Sequence, residues 1–227
     1  MGKYLSFLLL LFLCESAAFS QNVRIQILRP EQFRRKSAIL LTREKGFASI
    51  VHSLKLTHEL IELQMSTNLV PDLYQLSVSG VKGSLYFFLE NGTHIKLDTA
   101  DITNSVVINS KSNLEWQLFR DKIQQPSDNK LNAFTEAENL ARKRNKRDSV
   151  TYWTERRATE QKEILVKIGE YIRANPKSFV SLYLLRNNWL AYKNEGLFEI
   201  LDGSLAGHRS YQLLKEKRRA VVRSESR

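Results

Sequence analysis

Apolar and polar residues alternate with period two along the first part of the chain. Val23, Ile25 and Ile27 are separated by Arg24 and Gln26, Ile61, Leu63 and Met65 by Glu62 and Gln64, and Tyr74, Leu76 and Val78 by Gln75 and Ser77. Ala38 to Thr42 is a short apolar run bounded by charge. Successive side chains on a strand point to opposite faces, so this rhythm predicts an antiparallel sheet with one buried face within residues 22–112. Asn91-Gly92 separates the strand-like runs Leu85 to Leu89 and Ile95 to Leu97. That dipeptide suits the positive-φ positions of a two-residue hairpin turn. Strand-length segments recur about every eight to twelve residues, the spacing of a β-sandwich or half-open barrel.

Over residues 113–220 the period changes to that of a helix. Leu114, Leu118 and Phe119 lie within one to two turns of each other, and Gln124-Gln125-Pro126-Ser127-Asp128 then interrupts. Ile164, Leu165, Ile168, Tyr171 and Ile172 form one apolar face, Phe179, Leu182, Leu185 and Trp189 a second, and Leu197, Phe198, Ile200 and Leu201 begin a third. Such stripes bury each other as packed helices joined by short connections. Between the first two stripes lies Ala174-Asn175-Pro176-Lys177-Ser178. Proline disfavours a helical residue before it but suits the first turn of a new helix, so one helix is expected to end near Ala174. Asn175 is then the cap of the next helix, with Ser178 helping to close the turn. The expected fold class is α+β, an N-terminal antiparallel β-sandwich or half-open barrel followed by a small C-terminal helical array. Residues 221–227 are expected to be a frayed basic tail.

The first 21 residues have Lys3, an apolar run from Leu5 to Leu13, and small residues Ser16, Ala17 and Ala18 before Ser20-Gln21. They read as a secretory signal peptide, too short in its apolar run to span a bilayer comfortably, so the remaining chain is expected to be exported with no stable membrane span. The single cysteine, Cys14, falls inside that segment. An exported chain without it has no disulfide, Cys-x-x-Cys centre, thiolate metal site or cysteine nucleophile. The formal net charge is +11. It is uneven, with 12 basic and 9 acidic residues over 22–120 against 22 and 14 over 121–227. The densest basic run holds Arg142, Lys143, Arg144, Lys146 and Arg147. These five are a candidate contact for an anionic partner, although a solvated helix face accounts for the same pattern. No aromatic residues interleave them for base stacking, so no nucleic-acid partner is expected.

Candidate chemistry is sparse. His52, His58, His94 and His208 are scattered without metal-ligand spacing. Asp98 and Asp101 could form a carboxylate pair but read better as a strand end and turn. Ser79-Gly80-Val81-Lys82 has the Ser-x-x-Lys spacing, yet lies in a link between strands rather than at a helix start. Nine dispersed glycines make no phosphate-binding loop, and Asn91-Gly92-Thr93, a formal glycosylation sequon, is already accounted for as a turn. Neither a catalytic residue nor a cofactor or metal site is assigned. Asn91, Gly92, Asn175, Pro176 and Ser178 are assigned structural roles.

The order of these parts resembles a known arrangement. Pro71, Tyr74 and Leu76, then Phe88 through Gly92, then Tyr171-Ile172 with Asn175, Pro176 and Ser178 match a Pro-x-x-Tyr-x-Leu strand, a Phe-x-Glu-Asn-Gly hairpin and a Phe-Ile-x-x-Asn-Pro-x-Ser corner. These recur in the N-terminal domain of unknown function that precedes the thioredoxin domain in exported TlpA/ResA-like thiol:disulfide interchange proteins of Gram-negative bacteria. The departure is that Arg227 falls where the thioredoxin fold would begin, so no catalytic residue carries over. The resemblance implies a non-catalytic binding or scaffolding module of the periplasm or cell envelope, with a protein or peptide partner. Two alternatives stay open: an enzyme using His52, His58, His94, Asp98 or Asp101, and a binder of anionic surfaces through the basic helical half.

Overall fold

The computed structural model describes residues 22–27, 30–33, 36–44, 47–64 and 69–225. The expected signal peptide, Met65 and the last two residues of the tail lie outside the described residues. Eight strands come first: β1 (Asn22–Ile27), β2 (Ser37–Thr42), β3 (Ser49–Lys55), β4 (Leu60–Gln64), β5 (Asp72–Val78), β6 (Leu85–Leu89), β7 (His94–Leu97) and β8 (Val106–Ile108). They form two four-stranded sheets, in the order β4-β1-β7-β8 and β3-β2-β5-β6. Period-two alternation points Val23, Ile25, Ile27, Ile95 and Leu97 of one sheet at Leu40, Tyr74, Leu76, Val78 and Phe87 of the other, and all are buried in one cluster. Each such side chain contributes about 1.5–3 kcal/mol by burial. The β-sandwich reading therefore holds.

Two details of the sandwich differ from expectation. β1 and β7 pair in parallel, Ile25 opposite Ile95, whereas every other ladder is antiparallel. The reason is the Asn91-Gly92 turn. It is a tight turn, with Gly92 at φ 77 and Thr93 N donating to Glu90 O at 3.2 Å, but it does not close a hairpin. It carries the chain from β6 in the second sheet to β7 in the first, a corner between layers. The dipeptide specifies a reversal and not which strands flank it.

The helices follow: α1 (Lys111–Phe119), α2 (Gln125–Lys143), α3 (Arg147–Ala174), α4 (Phe179–Asn187), the short α5 (Trp189–Tyr192) and α6 (Arg209–Glu225). Arg120–Gln124, between α1 and α2, is a π turn. The interruption expected around Pro126 is absent. Pro126 lacks the N–H that an α-helix would use, and the wider turn just before it keeps the chain helical. The stripes beginning at Ile164 and at Phe179 behave as expected, with Ile168, Ile172, Leu182, Leu185 and Trp189 buried together. The run beginning at Leu114 does not. Leu114 and Leu118 are exposed, and the inward face is Ser112, Trp116, Phe119 and Ile123, spaced i, i+4, i+7 and i+11. Nor do Leu197 to Leu201 start a helix. They lie in a run of turns around Gly196 at φ 67, which still buries Leu197 and Leu201.

The Asn175-Pro176 corner exists, with the roles redistributed. α3 ends at Ala174, and Asn175 caps that helix, its Nδ2 donating to Tyr171 O at 2.9 Å. Ser178 is the cap of α4, its Oγ accepting from Val180 N at 3.0 Å while donating to Glu115 on α1. Pro176 therefore precedes α4 rather than entering its first turn, and its carbonyl accepts from Asp202 N at 3.0 Å. The last helix, α6, extends to Glu225, with Tyr211, Leu214 and Val221 packed on the helical core.

Strand and helix segments are sequential but not separate. β6 reads Leu-Tyr-Phe-Phe-Leu because Phe87 faces the sandwich core and Phe88 faces the helices, both fully buried. The helical layer thus covers part of the second sheet's outer face. Among the described residues no helix is long and apolar enough to cross a membrane.

Candidate functional site

The junction of sheet and helices begins with β6, an edge strand. Its outward groups at Phe88 are taken by one side chain: Asn113 Oδ1 accepts from Phe88 N at 2.8 Å and Asn113 Nδ2 donates to Phe88 O at 2.6 Å. The amide imitates a neighbouring strand and blunts the edge. Asn113 is placed there by the cap of α1. Ser110 Oγ accepts from Asn113 N at 3.1 Å, and Glu90 accepts from Ser110 Oγ, Ser112 N and Ser112 Oγ. With α1 fixed by these bonds, Trp116 reaches over the sheet. It meets Phe88 (centroids 5.9 Å apart) and Tyr183 of α4 (5.6 Å) edge-on and stacks on Phe119 (5.6 Å).

Beside this aromatic group lies a cleft of about 400 Å³, within the range of small-ligand pockets. Leu41, Leu73, Gln75 and Tyr86 of the sheet line one side, with Trp116, Gln124 and Tyr183 of the helices on the other. Arg43, Arg120 and Asp128 add charge to its lining. Tyr86 is 46 % exposed, so a large ring is presented to solvent here. Burial pushes the Tyr183 hydroxyl above its ordinary pKa, which keeps it protonated at neutral pH. Two of the lining residues each hold a buried polar atom, Trp116 Nε1 and Gln124 Oε1, without a hydrogen-bond partner among the described residues. One is a donor and one an acceptor, and buried groups of either kind ordinarily find partners.

A second polar group sits behind the cleft. Arg186 of α4 pairs with Asp72 at the start of β5, and its NH1 also donates to Ser210 Oγ at 2.7 Å. His208 Nδ1 accepts from Ser210 N at 3.0 Å, which makes Nε2 the protonated nitrogen, and that nitrogen lies 2.8 Å from Pro71 O. Burial depresses the His208 pKa, chiefly by desolvation. An aspartate, a histidine and a serine thus share one neighbourhood without forming a nucleophilic relay. The imidazole accepts from the serine backbone rather than its hydroxyl, and all three are buried. The group bolts the sheet to α4 and α6.

The residues singled out in the sequence lie elsewhere. Asp98 Oδ1 accepts from Ala100 N and Asp101 N, and Asp101 Oδ1 accepts from Thr103 N, which leaves both carboxylates shaping one turn. His52 is on the exposed part of β3, His58 in the turn beyond it and His94 on β7. None of these five lines the cleft. Among the described residues no group of three or more His, Cys, Asp or Glu could hold a metal. Ser79 and Gly80 form the β5–β6 turn, with Gly80 at φ 68. Arg142, Lys143, Arg144, Lys146 and Arg147 gather where α2 turns into α3, all exposed. Asn91 and Gly92 lie in the turn from β6 to β7, and Asn175, Pro176 and Ser178 in the corner between α3 and α4. The cleft residues Tyr86, Trp116, Gln124 and Tyr183 escaped the sequence reading. The doubly buried Phe87-Phe88 pair and the Ser112-Trp116-Phe119 spacing carried their signal.

Comparison with protein-family models, with curated proteins and with solved structures finds no match for this chain.

Proposed function

We propose that the chain is an exported, non-catalytic binding module of the cell envelope, akin to the domain that precedes thioredoxin in TlpA/ResA-like proteins. Its partner is a peptide segment seated in the cleft between the second sheet and the helices. The supporting observation is the cleft lining, which gathers the rings of Tyr86, Trp116 and Tyr183 beside Gln124, with Trp116 Nε1 and Gln124 Oε1 each buried and unpaired among the described residues. An apolar side chain would fill the aromatic part. With the Trp116 and Gln124 side chains turned toward the cleft, a peptide group supplies the complementary acceptor and donor for Nε1 and Oε1, which removes the cost of leaving them unpaired. Asp72 and His208, behind the cleft, are engaged in holding the layers together, and Asp128 is the carboxylate in the lining itself.

Selection from a displayed library of random peptides tests this reading. Selected peptides carrying an aromatic or large apolar residue should bind the chain and weaken about tenfold or more with Tyr86→Ser, since exposed aromatic anchors dominate such contacts. Peptides that bind Tyr86→Ser equally well would sink the reading. Turnover of insulin disulfides by the chain alone would refute its non-catalytic part.

A further inference from the structure

The α2/α3 hairpin is built in two parts. Residues of α3 from Ile164 onward join the helical core, whereas the preceding 147–163 segment, roughly 25 Å of helix, packs on α2. This outer part has its own aromatic contact, with half-buried Phe134 stacked on Trp153 at 5.8 Å and Arg156 over the Phe134 ring at 5.6 Å. Its end is the turn at Arg144-Asn145, where Asn145 adopts φ 54. Five cations crowd this turn: Arg142, Lys143, Arg144, Lys146 and Arg147. Arg142 is bonded to Glu138. The other four have no ion-pair partner among the described residues. Asp148 is the one acidic residue between Leu140 and Thr151.

Solubility alone would explain exposed charge, but not what flanks it. Leu140, one turn before the end of α2, is 47 % exposed, and Tyr152, about one and a half turns into α3, is 52 % exposed. A leucine and a tyrosine therefore stand open to solvent before and after the cationic turn in the chain. At the turn itself, Arg142, Lys146, Arg147 and Val150 border a shallow concavity of about 470 Å³. Cations beside an exposed aliphatic residue and a tyrosine match a phospholipid interface, where anionic headgroups meet the cations and the apolar side chains enter the acyl boundary. A nucleic acid would offer the charge but no apolar phase for Leu140.

We propose that the tip of the α2/α3 hairpin docks on an anionic phospholipid surface. This contact is separate from peptide binding in the cleft, so either can fail without the other.

The test is flotation of the chain from Asn22 onward, which holds every described element, with vesicles of phosphatidylcholine and of phosphatidylcholine mixed with phosphatidylglycerol. Binding is expected only to the mixed vesicles and should weaken as salt rises. Joint substitution of Lys143, Arg144, Lys146 and Arg147 by Gln should lower the partition coefficient on the order of a hundredfold or more, since each cation near such a surface contributes several-fold. Leu140→Ser with Tyr152→Ser should lower it about tenfold at unchanged charge. The four cations are exposed, so circular dichroism and the thermal midpoint of the Gln variant should match the parent. Tyr152 also meets Trp153 edge-on at 4.8 Å, so the Ser variant is compared at temperatures where its helicity equals the parent's. Tyr86→Ser should leave vesicle binding intact. Equal binding to both vesicle types, no binding to either, or retention by the Gln variant would overturn the proposal. So would tighter binding of a single-stranded oligonucleotide than of the mixed vesicles.

Discussion

At the junction of sandwich and helices, Asp72 and Arg186 face each other with 4 % of each side chain exposed, although 114 residues separate them in sequence. In the α2/α3 hairpin, Glu138 and Glu160 are enclosed to a similar degree, but their partners are not. Lys130 is 51 % exposed, Arg142 59 % and Arg157 36 %. The junction removes both charges from water and joins elements distant in the chain. The hairpin removes only the carboxylate and joins neighbouring helices. A dry pair costs heavily when one member is lost, because the survivor is left charged and unpaired, whereas a half-wet pair can be replaced by solvent. Failure of the junction should therefore unfold the molecule, and failure of the hairpin should open one part of it.

The largest expected effect follows from removing one junction charge. Arg186→Met leaves Asp72 buried without its cation and should cost about 3–5 kcal/mol in urea unfolding followed by circular dichroism. Asp72→Asn combined with Arg186→Met should recover a good part of that loss, because no bare charge remains. A cost near 1 kcal/mol for Arg186→Met alone would erase the contrast with the hairpin. Next comes Asn113→Ala, which strips the amide from Phe88 N and O and should cost about 1–3 kcal/mol. It also reopens the edge of β6, so concentration-dependent association in sedimentation should accompany the loss of stability.

Acid should separate the two regions by where each begins to fail. The folded pKa of His208 is depressed, so the unfolded chain takes up the proton first as pH falls. Its contribution is complete above about 6.5 and is lost below that value, with a slope of at most ~1.4 kcal/mol per pH unit. His208→Gln should remove this slope. In the hairpin, hydrogen bonding by Arg142 outweighs burial and holds the Glu138 carboxyl below its ordinary pKa. At Glu160, burial pushes the pKa up, but the bonds from Ser127 and Lys130 prevail and leave it lowered. Both contributions are present above the ordinary glutamate pKa and disappear as pH falls through the lowered one. Stability should thus fall first through the junction and, at more acidic pH, through the hairpin. Hydrogen exchange at stepped pH would reverse the reading if α2 and α3 lost protection first.

The alternation of β1, β4 and β5 and the stripes on α3 and α4 specified which residues are buried, because each face of those elements has one environment. What they could not specify was pairing. Asn91-Gly92 encodes a reversal with equal force whether the next strand stays in its sheet or leaves it. The parallel β1–β7 ladder depends on that choice. Hydropathy also misled on α1. Leu114 and Leu118 are more apolar by residue type than Ser112 or Trp116, yet Glu90 and Asn113 lock the helix with the latter pair inward. The candidate cleft was hidden for the same reason. Its residues come from β2, β5, β6, α1, the π turn, α2 and α4, and no local pattern links Tyr86 to Gln124 or Tyr183.

Ser127→Ala gives the smallest expected effect and the sharpest test of locality. Ser127 Oγ donates to Glu160 Oε1 at 2.5 Å inside the hairpin, while Lys130 Nζ reaches Oε2 at 3.0 Å from a half-exposed position. Loss of the hydroxyl leaves a carboxylate that still holds its cation and can admit water along the lysine. The cost should stay near about 1 kcal/mol, at the low end for a hydrogen bond to a charged group. Because that part of α3 packs on α2 rather than on the sandwich, the loss should appear as faster amide exchange across residues 125–163 at an unchanged urea midpoint. A shift of the global midpoint as large as that of Asn113→Ala would mean that hairpin and junction unfold as one unit. The half-exposed cations would then be incidental to how the molecule divides.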